Sequence, residues 1–270
     1  MANLSIKPSK LEIQLQPGAS YTQVYTITNN GQQSVTLSSS VDSWVPQGSR
    51  GNITYLNSPS DINLSLSNSD LKLGQQFILL PNQSRQLVLK IQVPSELTNG
   101  DRYLTFFINQ EGSANLSTNS TQLIRLGSHL LISVSNTEQT STDFKIINFK
   151  VKNIFIDTFF SPIKFSGEIQ NQSDYFNQID NSITITKNNT IIKELTIFPD
   201  NVLAHNSRQI RCLADQSPVE CQLSKPLWPG VYQASIDKTT ISFIVLPYTL
   251  FIIIIFLFII FKVIFNINKK

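Results

Sequence analysis

Leu80-Pro81-Asn82-Gln83-Ser84-Arg85-Gln86-Leu87 and Leu203-Ala204-His205-Asn206-Ser207-Arg208-Gln209-Ile210 are two versions of one pattern within a single chain. In each, a polar turn opens into a strand through Ser-Arg-Gln. Each is followed by a Pro/Gly turn and a strand that opens with tyrosine, at Gly100 to Tyr103 and at Gly230 to Tyr232. A self-match of this kind marks a duplicated supersecondary unit. It divides the 270 residues into two modest domains of related plan.

Working outward from the match, apolar residues recur at every second position, the signature of half-buried strands. Leu87, Leu89, Ile91 and Val93 show it, as do Leu11, Ile13 and Leu15, then Val35, Leu37 and Val41. The second half repeats it with Ile163, Phe165 and Ile169 and with Ile183 and Ile185. Asn29-Asn30-Gly31 reads as a type I′ hairpin turn, since Asn and Gly tolerate positive φ. Residues 103–108, apolar but for Thr105, form a run suited to a central strand, and Gly127 reads as a bulge in the strand that closes the first unit. Residues 136–142 contain no apolar side chain and mark the boundary.

The last thirty residues differ in kind. Residues 250–261 carry no polar side-chain atom, and a bilayer core of about 30 Å needs about twenty mostly apolar residues. A lone span must satisfy its backbone internally, so helix is expected. Leu250, Phe251, Ile252, Phe256 and Phe261 are the expected anchor residues. Lys262, Lys269 and Lys270 follow the span, which by the positive-inside rule places the tail in the cytoplasm and the body outside. The expected architecture is therefore all-β: two tandem Ig-like antiparallel β-sandwiches followed by a single C-terminal transmembrane α-helix. The segments are 1–136, a linker at 137–142, 143–240, a span at 241–265 and a cytoplasmic tail at 266–270.

Composition agrees with exposed sheets: rich in Ser, Thr, Asn and Gln, with only 14% charged residues and a net charge of +3. So small and scattered a positive charge gives no footprint for nucleic acid. Cys212 and Cys221 flank Asp215-Gln216-Ser217-Pro218, turn-forming material. In an oxidising compartment they would pair, and otherwise they are two buried thiols. Met1-Ala2-Asn3-Leu4 leads straight into strand-like sequence with no apolar leader. A trimmed start, a misplaced gene start or a tail-anchored orientation would each account for it; the last ranks lowest, because it puts the terminal lysines outside.

Residues 11–15, Pro17-Gly18, residues 21–30, Leu80-Pro81-Asn82-Gln83-Ser84-Arg85 through Val93-Pro94, Gly100 and Tyr103 resemble the N-terminal domain of bacterial WxL-interacting proteins. The resemblance implies a surface protein with two Ig-like domains and a C-terminal transmembrane helix, the first domain peptidoglycan-binding and the second a partner- or host-binding module.

No catalytic constellation stands out. His129 and His205 are the only histidines, and no nucleophile elbow, zinc, redox or phosphate-loop motif occurs. Glu96, Asp101 and Arg102 flank a turn, where solvated charges are the default. Trp228 is expected to cover one end of the second core; Trp44 is the candidate ligand contact, with a place in the core or capping its end as the favoured reading. The expected function is a non-enzymatic, membrane-anchored surface protein that binds cell wall peptidoglycan or a surface protein. It needs no cofactor, no metal, no nucleic acid and no small-molecule substrate. The alternative is a structural or scaffold subunit of a membrane-associated secretion or pilus-like assembly. With the polar loops 57–70 and 109–121, residues 1–136 are the expected binding half and 143–240 the spacer.

Overall fold

The computed structural model describes residues 3–56, 58–110, 124–137, 143–152, 155–157, 162–223, 227–246 and 248–267. The expected loop over 109–121 lies outside them beyond residue 110, as do most of the linker and residues 268–270 of the expected tail. The chain forms two compact units. The first holds residues 1–142 together with Ser173–Phe176 and Leu203–His205; the second holds the remainder.

In unit 1, β1 (Leu4–Lys7), β3 (Ser20–Asn29), β8 (Ser84–Gln92) and β6 (Asn63–Leu66) make one sheet in the order β1-β3-β8-β6. The facing sheet runs β2 (Lys10–Leu15), β10 (Ile124–Val134), β9 (Gly100–Gln110), β4 (Val35–Gln47), β5 (Asn52–Tyr55), with β7 (Phe77–Leu79) also on β4. Inward residues of both sheets fill the core, among them Tyr25, Ile27, Leu37, Leu87, Leu89, Ile91, Leu104, Phe106, Leu130 and Ile132. The rings of Tyr25 and Phe106 meet at 4.8 Å. Two sheets that bury alternate residues against each other form a sandwich.

Unit 2 repeats the plan. β11 (Phe144–Val151), β13 (Ile163–Asn171) and β18 (Ser207–Gln209) form one sheet, with β21 (Gln222–Leu223) also on β13. The other runs β12 (Phe155–Ile156), β23 (Thr239–Val245), β22 (Gly230–Ile236), β15 (Ser182–Lys187), β16 (Thr190–Thr196). Two small ribbons, β14 (Asn177–Gln178) with β17 (Asn201–Val202) and β19 (Cys212–Ala214) with β20 (Ser217–Val219), complete it. Cys212 and Cys221 are joined by a disulfide across the mouth of the β19–β20 ribbon, their Cα atoms 4.8 Å apart.

The duplicated sequence has a duplicated geometry. Asn82 and His205, at matching places, both adopt the left-handed conformation, with φ of 56° and 54°. The Asn29 amide donates to Gln83 O at 2.9 Å, and the Asn171 amide donates to Asn206 O at 2.9 Å. Both asparagine side chains are fully buried and tie down the segment before the turn, Asn29 Nδ2 to Leu79 O and Leu80 O, Asn171 Nδ2 to Val202 O. Each buried amide satisfies carbonyls of the segment that enters the turn, which fixes the chain there.

Several expectations are corrected. The sheets are not wholly antiparallel: β2 runs parallel to β10, and β12 runs parallel to β23. In each unit the opening strand changes sheets; in unit 1 the change falls at Pro8, which has no N–H to continue the β1 ladder. Asn29-Asn30-Gly31 is not a hairpin turn, because β3 pairs with β1 and β8 while β4 pairs with β9, β5 and β7. It carries the chain from one sheet to the other, with Gly31 N bound to Asn29 Oδ1. Gly127 is not a bulge; it stands in register opposite Phe107. A Cβ there would lie 2.7 Å from Thr105 Cγ2 and 3.0 Å from the Phe107 ring, so lack of space requires glycine.

The C-terminal expectation is corrected most. Residues 241–245 of the expected span belong to β23, where Phe243 is 1% exposed and packs on Tyr232 and Phe165. The helix, α1 (Tyr248–Ile267), begins three residues later, where the buried Asp157 carboxylate accepts Thr249 N and Thr249 Oγ1. A carboxylate at a helix N-terminus complements the unpaired N–H groups there. The side chains of Phe251, Ile252, Phe256 and Phe261 are exposed on α1; of Leu250 the structure describes only the backbone. Among the described residues, no helix is long and apolar enough to cross a membrane. The single-pass anchor is therefore not supported, nor are the external body and cytoplasmic tail deduced from it.

Candidate functional site

The polar centre of unit 1 sits at the start of β9. Alternation along β9 sends Leu104, Phe106 and Ile108 into the core and leaves Asp101, Tyr103, Thr105 and Phe107 on the opposite face. Register then brings Ser133 of β10 opposite Asp101 and His129 opposite Thr105.

Asp101 is the node. Its Oδ1 accepts the Ser133 hydroxyl at 2.6 Å, and its Oδ2 accepts both the Tyr103 phenol at 2.6 Å and the Phe176 N–H. The Tyr103 oxygen in turn accepts Ala204 N at 3.0 Å. Burial raises the pKa of Asp101, outweighing the lowering by Ser133, Tyr103, the Phe176 N–H and the Arg102 charge. Burial, with the adjoining carboxylate, also raises the phenol of Tyr103, which keeps it a proton donor. Arg102 turns away: its Nε donates to Asp61 at 2.6 Å.

A cleft of about 430 Å³ opens beside this node, lined in part by Asn99, Asp101, Tyr103, Asp174, Tyr175 and His205. His205 and Asp174 meet across its rim at 2.9 Å. Behind it stands Trp44, which stacks on Tyr103 at 5.1 Å and meets the edge of His129 at 5.5 Å. Trp44 is 6% exposed, so its bearing on any ligand passes through Tyr103. His129 Nδ1 is bonded to Thr105 Oγ1 at 2.9 Å, and burial lowers its pKa.

Sequence reasoning took Asp101 and Arg102 for solvated turn charges. The structure instead makes Asp101 a half-buried acceptor for three donors. The missing signal was register: only the pairing of β9 with β10 shows that Ser133 faces it. Trp228 is also displaced from expectation, being 83% exposed and covering no core. Its backbone carbonyl accepts the Tyr232 hydroxyl at 2.7 Å. Among the described residues no group of three or more His, Cys, Asp or Glu could hold a metal ion.

No protein-family model matches the chain, and no curated protein matches it. Among solved structures, the class 5 fimbriae chaperone CfaA is 11% identical, covering 91% of this chain and 100% of that one, with a TM-score of 0.43. The E. coli chaperone DraB is 13% identical, covering 90% and 98%, at 0.41. The CsuC–CsuE chaperone–tip adhesion subunit complex from the Csu pili of Acinetobacter baumannii is 10% identical, covering 90% and 98%, at 0.40. At such identities and scores, nothing about function follows from the likeness.

Proposed function

We propose that the protein is a non-enzymatic scaffold component of a secretion or pilus-like assembly, one that binds protein partners through its sandwich edges. The observation that carries this reading is β16. It ends its sheet, and among the described strands it pairs only with β15. Every residue of β16 except Leu195 is exposed, including Ile191 at 59%. An open strand edge offers unpaired N–H and C=O groups to an incoming strand, which is a protein's means of recognition and not a glycan's. The hydrogen bonds around Asp101 agree with this reading, since those from Ser133, Tyr103 and the Phe176 N–H hold strands and segments of the chain in place. Of what the resemblance to WxL-interacting proteins implies, this reading keeps the partner-binding second domain and not the peptidoglycan binding of the first. The open edge lies in the half expected to be a spacer, so the proposal gives that half part of the contact.

A photo-crosslinking residue in place of Ile191 tests this in the source cells, alongside sedimentation of the purified protein with peptidoglycan fragments. The expected result is a discrete protein adduct at 191 and no co-sedimentation. Co-sedimentation with wall material and no adduct at 191 would overturn the reading.

A further inference from the structure

The cleft beside Asp101 has a charge balance that names a ligand class. Two carboxylates, Asp101 and Asp174, and two phenol rings, Tyr103 and Tyr175, line one opening. The one guanidinium on its wall, Arg102, is spent on Asp61 and on the carbonyls of Asp101 and Thr98. Among the described residues Asp101 is hydrogen-bonded only by neutral donors, the Ser133 and Tyr103 hydroxyls and the Phe176 N–H. An ionised carboxylate has about four acceptor sites, so one of them is left to spare.

That environment is short of positive charge. Burial is the largest influence on Asp101 and pushes its pKa up, against the lowering by its three donors and by Arg102; that is the cost of holding a charge away from water. A cation brought to such a group recovers part of the cost of burying it. At about 430 Å³ the opening falls within the range of roughly 300–1,000 Å³ common to ligand pockets.

We propose that this cleft receives an ammonium or guanidinium group, carried by a lysine or arginine side chain of a protein partner. The inference deepens the binding role proposed above by naming one chemistry of the partner. It rests on the cleft and not on the β16 edge, so either can fail alone. The entering cation meets Asp101 on the floor and displaces His205 from Asp174 at the rim, where those two side chains are 64% and 79% exposed respectively.

Titration of the full chain with N-acetyl-lysine methylamide at low ionic strength, followed through the amide resonances of Gly100, Tyr175 and His205, tests it. Saturable shifts are expected with the lysine and arginine derivatives and none with the norleucine isostere. Asp174→Asn, on an exposed side chain that the fold does not need, is expected to weaken binding at least threefold, and His205→Ala to strengthen it. Added salt is expected to weaken it further. Absence of saturable shifts, equal shifts from norleucine, or an unchanged affinity in Asp174→Asn would overturn the proposal. Spermidine binding more than tenfold tighter than the lysine derivative would overturn the assignment to a protein side chain.

Discussion

Tyr103 donates its phenol proton to the carboxylate of Asp101, two residues back on the same face of β9, at 2.6 Å. The same oxygen accepts the N–H of Ala204, so one hydroxyl links the carboxylate to a backbone segment a hundred residues away in sequence. The two residues work as a unit: Asp101 orients the phenol, and the phenol holds Leu203–His205 within unit 1.

Replacing Asp101 separates acceptor capacity from charge. Asp101→Ala orphans the Ser133 and Tyr103 hydroxyls and the Phe176 N–H, and is expected to destabilise unit 1 by about 2–3 kcal/mol. Asp101→Asn keeps a carbonyl for Tyr103 and Phe176 while its NH₂ faces a Ser133 hydroxyl that can turn to accept. It is expected to cost less than about 1 kcal/mol. Denaturant midpoints of the two variants measure the difference, and equal losses would show that the hydrogen bonds are not what matters.

His129 gives unit 1 an acid sensitivity. Burial holds its imidazole below the ordinary value of about 6.5, so the unfolded chain takes up a proton at higher pH than the folded one. Its contribution is therefore present above the unfolded value and lost as pH falls through the folded one. Stability measured at about pH 7.5 and about pH 5.5 is expected to fall with acid in the parent protein and to fall less in His129→Gln. Asp101 acts in the opposite sense, its raised value making the fold lose stability as pH rises through its titration. Comparison of variant with parent removes that shared term.

Gly127→Ala is expected to destabilise unit 1 by about 1–3 kcal/mol, since the added methyl falls within 2.7 Å of Thr105 Cγ2 and 3.0 Å of the Phe107 ring. Thermal unfolding reads this directly. Thr105→Ser in the same chain removes the nearer atom and should recover part of the loss.

The Cys212–Cys221 disulfide closes a loop of nine residues' separation. On the chain-entropy account, its removal by Cys212→Ser with Cys221→Ser is expected to cost unit 2 about 2–3 kcal/mol. Thiol labelling of the denatured, unreduced protein checks the bond itself; two reactive thiols would refute it.

How much of this was legible in sequence varies by residue. The match of Leu80-Pro81-Asn82 with Leu203-Ala204-His205 was visible because a left-handed turn and the strand after it leave a local pattern. The change of sheet after Asn29-Asn30-Gly31 was not, because a turn's residues give its local dihedrals and not the sheet that the next strand joins. Phe243 and Val245 were read as helix because apolar residues running on from strand into helix give no period to separate them. Their burial in the second core is settled by the pairing of β23 with β22 and by packing on Phe165, neither of which the apolar run itself shows. Asp101 was missed for a related reason. Of its donors only Tyr103 is near in sequence; the others come from Ser133 on β10 and from Phe176, and no spacing along the chain points to either.

The central claim, that partners are bound through a strand edge, is tested most directly by amide hydrogen exchange of the full chain, alone and within its native complex. The backbone of Thr190 to Glu194 is expected to gain protection in the complex as its outward N–H groups find a partner strand, while the buried strand β13 stays unchanged. Exchange at those residues that is the same in the free and assembled protein would contradict the account.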